Sequence, residues 1–135
     1  MNRSESRILC MEIIYQMFLY QKNNLPINEN DIFNEKNIND SFIKDTVSGV
    51  VGKKAELFDI ANKYLSDWKI NRLSIPDQAI LSLGIYEIIY TDIPGPVIIN
   101  EAVELAKKYS DEKVKNIING VLDKVYNRKG ESNGS

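Results

Sequence analysis

Ser74-Ile75-Pro76-Asp77-Gln78-Ala79-Ile80-Leu81-Ser82-Leu83-Gly84-Ile85-Tyr86-Glu87-Ile88-Ile89-Tyr90 decides how the rest of the chain is read. A serine that can cap, a proline in the first turn and an acid three residues after the cap together mark a helix start. The following residues predict a helix over Pro76 to Tyr90, which Pro94-Gly95-Pro96 brings to a close. The helix is apolar nearly all round, and such a helix must be covered by neighbours on several sides. It is therefore expected at the centre of a bundle.

Outward from this helix the pattern stays helical. Val97 to Tyr109 carries Ile99, Ala102, Val103 and Ala106 on one face, and Ser110 can cap a last helix to about Asn127 with the stripe Val114, Ile117, Ile118, Val121, Leu122 and Val125. Within that stripe Gly120 reads as a point of close helix approach. Towards the N-terminus, Ser4 or Ser6 can cap a first helix to about Gln21, with Ile8, Met11, Tyr15, Phe18 and Leu19 three and four apart. Asn23 to Asn39 is rich in asparagine and holds Pro26; it reads as a long loop with a short turn near Asp31 to Phe33. Asp40 or Ser41 opens a helical segment through Phe42, Ile43, Val47, Val50 and Val51, continued by Leu57, Phe58, Ala61, Tyr64, Leu65 and Trp68, with Gly49 and Gly52 arguing against one straight helix. No run alternates long enough for a half-buried strand. The fold class is all-α, a compact bundle of about six to seven helices in a single domain over 1–129, with a disordered tail over 130–135.

Composition removes several classes of function. A chain of 135 residues with 43% hydrophobic content fills one core. Its longest apolar run, Ala79 to Tyr90, is interrupted by Ser82 and Glu87 and falls short of the roughly 20 residues that span a bilayer. The N-terminus lacks the apolar stretch of a signal peptide, so a cytoplasmic protein with no membrane partner is expected. Cys10 is the only cysteine, and histidine is absent. The commonest general base and zinc ligand are thus missing, and the chain is expected to be no enzyme and to hold neither metal nor cofactor. Glu101 and Glu104 read as solvated helix surface.

Charge is divided along the chain. From Leu73 to Ala106 the only formal charges are Asp77, Glu87, Asp92, Glu101 and Glu104, whereas Lys107, Lys108, Lys113, Lys115, Lys124, Arg128 and Lys129 outnumber the acids of the following segment. A basic C-terminal segment suits a polyanion, and an acidic centre suits a basic partner.

Specific strings add a resemblance. Ile75-Pro76-Asp77-Gln78-Ala79-Ile80-Leu81 with Leu83-Gly84-Ile85-Tyr86-Glu87-Ile88, then Asp92-Ile93-Pro94, then Ile99-Asn100-Glu101-Ala102-Val103-Glu104-Leu105-Ala106-Lys107, then Asn119-Gly120-Val121-Leu122-Asp123-Lys124 resemble the NusB family in order and spacing. Arg7, Tyr15 and Gln16 are similar to the family's first helix. Ser4, Glu5 and Ser6 depart from it, standing where the family often carries further arginines. The resemblance implies two small helical subdomains. It also implies a transcription antitermination factor that pairs with NusE, a ribosomal small-subunit protein, binds boxA RNA of nascent rRNA transcripts and joins an RNA polymerase antitermination complex. On that basis RNA is expected to meet Arg3, Arg7, Tyr15, Lys113, Lys115 and Lys124. NusE is expected to meet Tyr86, an exposed Glu87 and Tyr90, with Glu101 and Glu104 adding longer-range attraction. The competing reading is a helical protein-interaction module, a homodimer when free, without an RNA role.

Overall fold

The computed structural model describes residues 1–134, with side chains through Lys129. The expected disorder over 130–135 lies outside the residues described to the side chain. Among the described residues there are seven α-helices and no strand: α1 Arg3–Lys22, α2 Glu29–Glu35, α3 Ser41–Gly52, α4 Lys54–Tyr64, α5 Ile75–Tyr90, α6 Gly95–Tyr109 and α7 Glu112–Gly134, with a 3₁₀ turn at Ile70–Arg72.

Local chemistry explains the boundaries, including those the sequence reading misplaced. Asn2, not Ser4 or Ser6, caps α1: its side chain accepts from the Glu5 N–H at 2.9 Å, and the Glu5 carboxylate accepts from the Asn2 N–H at 3.3 Å. Ser6 is buried. The expected long loop contains α2, whose start is a second reciprocal box between Asn28 and Asp31. This short helix buries Ile32 and Phe33. Asn24 and Asn37 both sit at φ 56°, the left-handed conformation that asparagine tolerates better than most residues. The following segment breaks at Lys53 into α3 and α4, and Trp68 lies beyond α4.

α5 starts where Ser74 accepts from the Asp77 N–H at 3.3 Å. It packs against α1, α3, α4, α6 and α7, as an all-round apolar helix must. Its side chains from Ala79 to Leu83 and Ile85, Glu87 and Ile88 are buried, each large apolar one contributing roughly 1.5 to 3 kcal/mol. α1, α2 and α3 contact one another, and α7 packs against both α4 and α6. On α6 the buried residues are Gly95, Ile98, Ala102, Leu105 and Ala106, so the inward face is turned slightly from the one expected and Ile99 and Val103 are half-buried. Asp111, not Ser110, caps α7 by accepting from the Val114 N–H at 2.8 Å.

Gly120 corrects a second expectation. A Cβ placed there would meet nothing within 4 Å, because the core stripe of α7 runs through Ile118, Val121, Leu122 and Val125 on another side. The close approach is instead at Gly84 of α5, where a Cβ would come within 2.9 Å of the Leu122 side chain. No described helix is long and apolar enough to cross a membrane.

Candidate functional site

α1 and α5 run antiparallel, since Arg7 near the start of α1 meets Glu87 near the end of α5, and Tyr15 farther along α1 lines a groove shared with Pro76 at the start of α5. The candidate residues therefore divide between two ends of the α1–α5 pair.

At the Arg7 end the structure corrects two expectations together. Glu87 does not project from a surface: it is 1% exposed, and Arg7 is 3% exposed. The Arg7 Nε donates to Glu87 Oε1 at 2.9 Å and Oε2 at 3.1 Å, and Nη2 donates to Oε2 at 2.7 Å. This two-pronged geometry is the arrangement that justifies burying a charge pair. Burial pushes the Glu87 carboxyl above its usual range, with the Arg7 guanidinium pulling the other way. For Arg7, burial works against the charge, but the bond to Glu87 outweighs it and the guanidinium stays cationic. With its donors turned inward, Arg7 is not placed to hold an RNA phosphate. The internal cation that Glu87 needed came from outside the acidic segment. The signal was present, for Arg7 falls in helical register with Cys10, Ile14 and Phe18 of the core stripe.

The neighbouring groups at this end are also engaged. The exposed Arg3 lays its guanidinium 3.7 Å from the centre of the Phe42 ring, and the Ser4 hydroxyl donates to Glu101 at 2.8 Å.

The opposite end is built differently. Met11, Glu12 and Tyr15 of α1, Pro76 of α5 and Tyr109 at the end of α6 line a groove of about 380 Å³. Tyr109 is 36% exposed; its hydroxyl donates to Glu12 at 3.3 Å, and the Lys108 ammonium stands 5.4 Å from its ring centre. One turn beyond the α6–α7 corner, Lys113 holds its ammonium 4.7 Å from the ring of Trp68, which is 39% exposed. Half-buried Lys115 pairs with Glu112 at 2.8 Å. Lys124 is exposed but about 16 Å from Lys113 along α7 at 1.5 Å per residue. The structure thus places Tyr15 across a groove from Tyr109, sets Lys113 and Lys115 at the start of α7, and leaves Arg3 about 18 Å from Tyr15 along α1. Sequence reasoning missed Tyr109, Lys108 and Trp68. The available signal was aromatic residues outside or at the end of a helical stripe, next to lysines.

Residues expected at the protein partner are scattered. Tyr86 is half-buried, its ring filling the space over Gly49, where a Cβ would lie 2.3 Å from the phenol oxygen. Tyr90 is 41% exposed, stacks at a tilt on Tyr86 with ring centres 5.3 Å apart, and donates to Glu56 at 2.6 Å. The Lys53 ammonium sits 4.7 Å above the Tyr90 ring. Glu101 is half-buried, and exposed Glu104 pairs with Lys107 at 2.9 Å.

Comparison with known proteins agrees over most of the chain. The profile of the NusB family matches residues 4–127. The transcription antitermination protein NusB of Clostridium perfringens is 40% identical over 131 residues, covering 93% of this chain and 97% of that protein. Its counterpart from Staphylococcus aureus is 38% identical over 128 residues, covering 93% and 98%. Among solved structures, T. maritima NusB superposes with a TM-score of 0.80 at 28% identity, covering 94% of this chain and 92% of that one. A crystal structure of the antitermination factors NusB and NusE in complex with dsRNA superposes with a TM-score of 0.75 at 28% identity, covering 93% and 96%.

Proposed function

The chain belongs to the NusB family, and from that premise we propose that it is a transcription antitermination factor that binds RNA together with NusE. Its RNA is the boxA element of nascent rRNA transcripts, and the assembly helps RNA polymerase read through terminators. The observation that carries this reading is the full-length likeness to a NusB solved with NusE and dsRNA.

The groove between Tyr15 and Tyr109 supplies the chemistry such a role needs. Half-exposed aromatic rings accept unpaired bases by stacking, worth about 1 to 3 kcal/mol per base. Lys108, Lys113 and Lys124 offer ammonium groups to the phosphates that connect those bases, Lys115 adds a shielded charge, and Arg3 serves at most a distal stretch of RNA. Arg7 has no part in it. NusE binds the face carrying Tyr90 and Tyr86, where exposed phenol and carboxylate mix apolar area with charge, and Glu101 and Glu104 give longer-range attraction to a basic protein.

The test is fluorescence anisotropy with labelled boxA RNA and a scrambled control, with and without NusE, over a range of salt. Binding should favour boxA and tighten when NusE is present. Neutralising three phosphates of a single strand gives a slope of log affinity on log salt of about −2. Equal affinity for the scrambled RNA, or no binding at low salt with NusE present, would overturn the reading. A stable homodimer indifferent to RNA would favour a protein-interaction module.

A further inference from the structure

Two walls of the Tyr15 groove belong to long helices, α1 and α5, but the third is Tyr109, the last residue of α6. Only Ser110 and Asp111 separate it from α7, and a side chain at a helix end is held only as well as that end is tied down. Here the tie is Asp77. Its carboxylate is buried on the first turn of α5, and both oxygens are taken by hydroxyls. Oδ2 accepts from Ser74 Oγ at 2.7 Å, and Oδ1 accepts from Ser110 Oγ across the gap between α5 and the α6–α7 corner. Meanwhile the Ser110 N–H closes α6 on the Ala106 carbonyl at 2.7 Å. The corner is thus pinned from α6 through its backbone and from α5 through one side chain, immediately beside Pro76 and Tyr109.

Asp77 itself is not placed to meet a ligand, because it is buried and each oxygen already has a donor. Burial pushes its carboxyl up, while the Ser74 hydroxyl pulls it down and Asp111 adds repulsion. We propose that Asp77 is a positioning residue for RNA: through Ser110 it fixes Tyr109 across the groove from Tyr15, so that the gap between the rings is set before a nucleobase enters. This rests on the RNA-binding reading above. Without the tie, only the exposed 3.3 Å bond from its hydroxyl to Glu12 still restrains Tyr109 across the groove, and the cost of ordering the ring at the moment of binding comes out of affinity.

The experiment is a double-mutant cycle on RNA affinity, measured by anisotropy with boxA RNA and NusE at fixed salt. Ser110→Ala removes only the hydroxyl and should weaken RNA binding by about tenfold, whereas Ser110→Thr, which keeps the hydroxyl, should restore it. In a Tyr109→Ala background, Ser110→Ala should cost nothing further, since the ring it positions is gone. Affinity for NusE alone should not change in any of these variants. Asp77→Ala is the harsher test, read only if its melting curve is intact; Ser110→Ala carries the conclusion otherwise. Wild-type affinity in Ser110→Ala, or an equal loss in the presence and absence of the Tyr109 ring, overturns the proposal. Failure of the wild-type chain itself to bind RNA would sink the functional reading, and the proposal with it.

Discussion

The two ends of the α1–α5 pair hold similar kinds of residue and use them in opposite ways. At one end, Arg7 and Glu87 are sealed against each other, Arg3 lies on Phe42 and Ser4 on Glu101. At the other end, Tyr15, Tyr109 and Trp68 remain partly open, with Lys108 and Lys113 poised over two of the rings. Both ends carry formal charges. What differs is whether that charge has been turned inward, and this decides which end can meet a polyanion. A buried ion pair costs several kcal/mol of desolvation per ion, recovered only through its own partner, so a charge so committed is not offered to a ligand.

The largest effect that sharpens this contrast is at the closed end. Glu87→Ala strands the Arg7 guanidinium, and should lower the unfolding free energy by about 3 to 5 kcal/mol, read from urea denaturation. Arg7→Met combined with Glu87→Leu should be far milder, because no charge is left unpaired. If Glu87→Ala instead kept its stability and lost affinity for NusE, the closed end would be an interface.

At the open end, Tyr15→Ala should weaken RNA binding by about 1 to 3 kcal/mol, while its dissociation constant for NusE stays at the wild-type value. The contrast breaks if an Arg3 substitution weakens RNA binding as much as Tyr15→Ala does.

A smaller test lies on α7, where Lys113, Gly120 and Lys124 fall on one helical stripe and a Cβ at Gly120 meets open space. Gly120→Ala should raise stability by about 0.5 to 1 kcal/mol through helix propensity. A drop in melting temperature would mean that this basic stripe is covered.

A further effect, confined to alkaline pH, concerns Cys10, one turn from Arg7. Burial pushes its thiol up to about 12, so native protein should resist a thiol reagent at pH 8. The sign of the linkage follows from the direction of the shift. The native state favours the protonated thiol, so this contribution is complete below the ordinary value of 9.0 and is lost as pH rises from there towards 12. Wild type should accordingly lose stability relative to Cys10→Val above pH 9.

Much of the fold was legible because its signals are local. Ser74-Ile75-Pro76-Asp77 caps and starts α5, and the α7 stripe from Val114 to Val125 faces the core as its spacing requires. α2 was read only as a short turn near Asp31 to Phe33, because Glu29–Glu35 is too short to display a period. The Arg7–Glu87 pair escaped for a different reason: its members are separated by 80 residues, and no window along the chain contains both. Gly120 was misread because a glycine beside a core stripe looks like one within it. Of the open end, Tyr15 and Lys113 were expected from charge and from family likeness, and they remain proposals. Tyr109 was not, since its role depends on where the α6–α7 corner is pinned.

Photo-crosslinking of boxA RNA carrying 4-thiouridine to the NusE-bound protein, with adducts mapped by mass spectrometry, tests the contrast between the two ends most directly. Adducts at Tyr15, Tyr109 or Trp68, with few or none from Met1 to Arg7, are the expected result. Adducts concentrated on the first turn of α1, with the groove unlabelled, would contradict it.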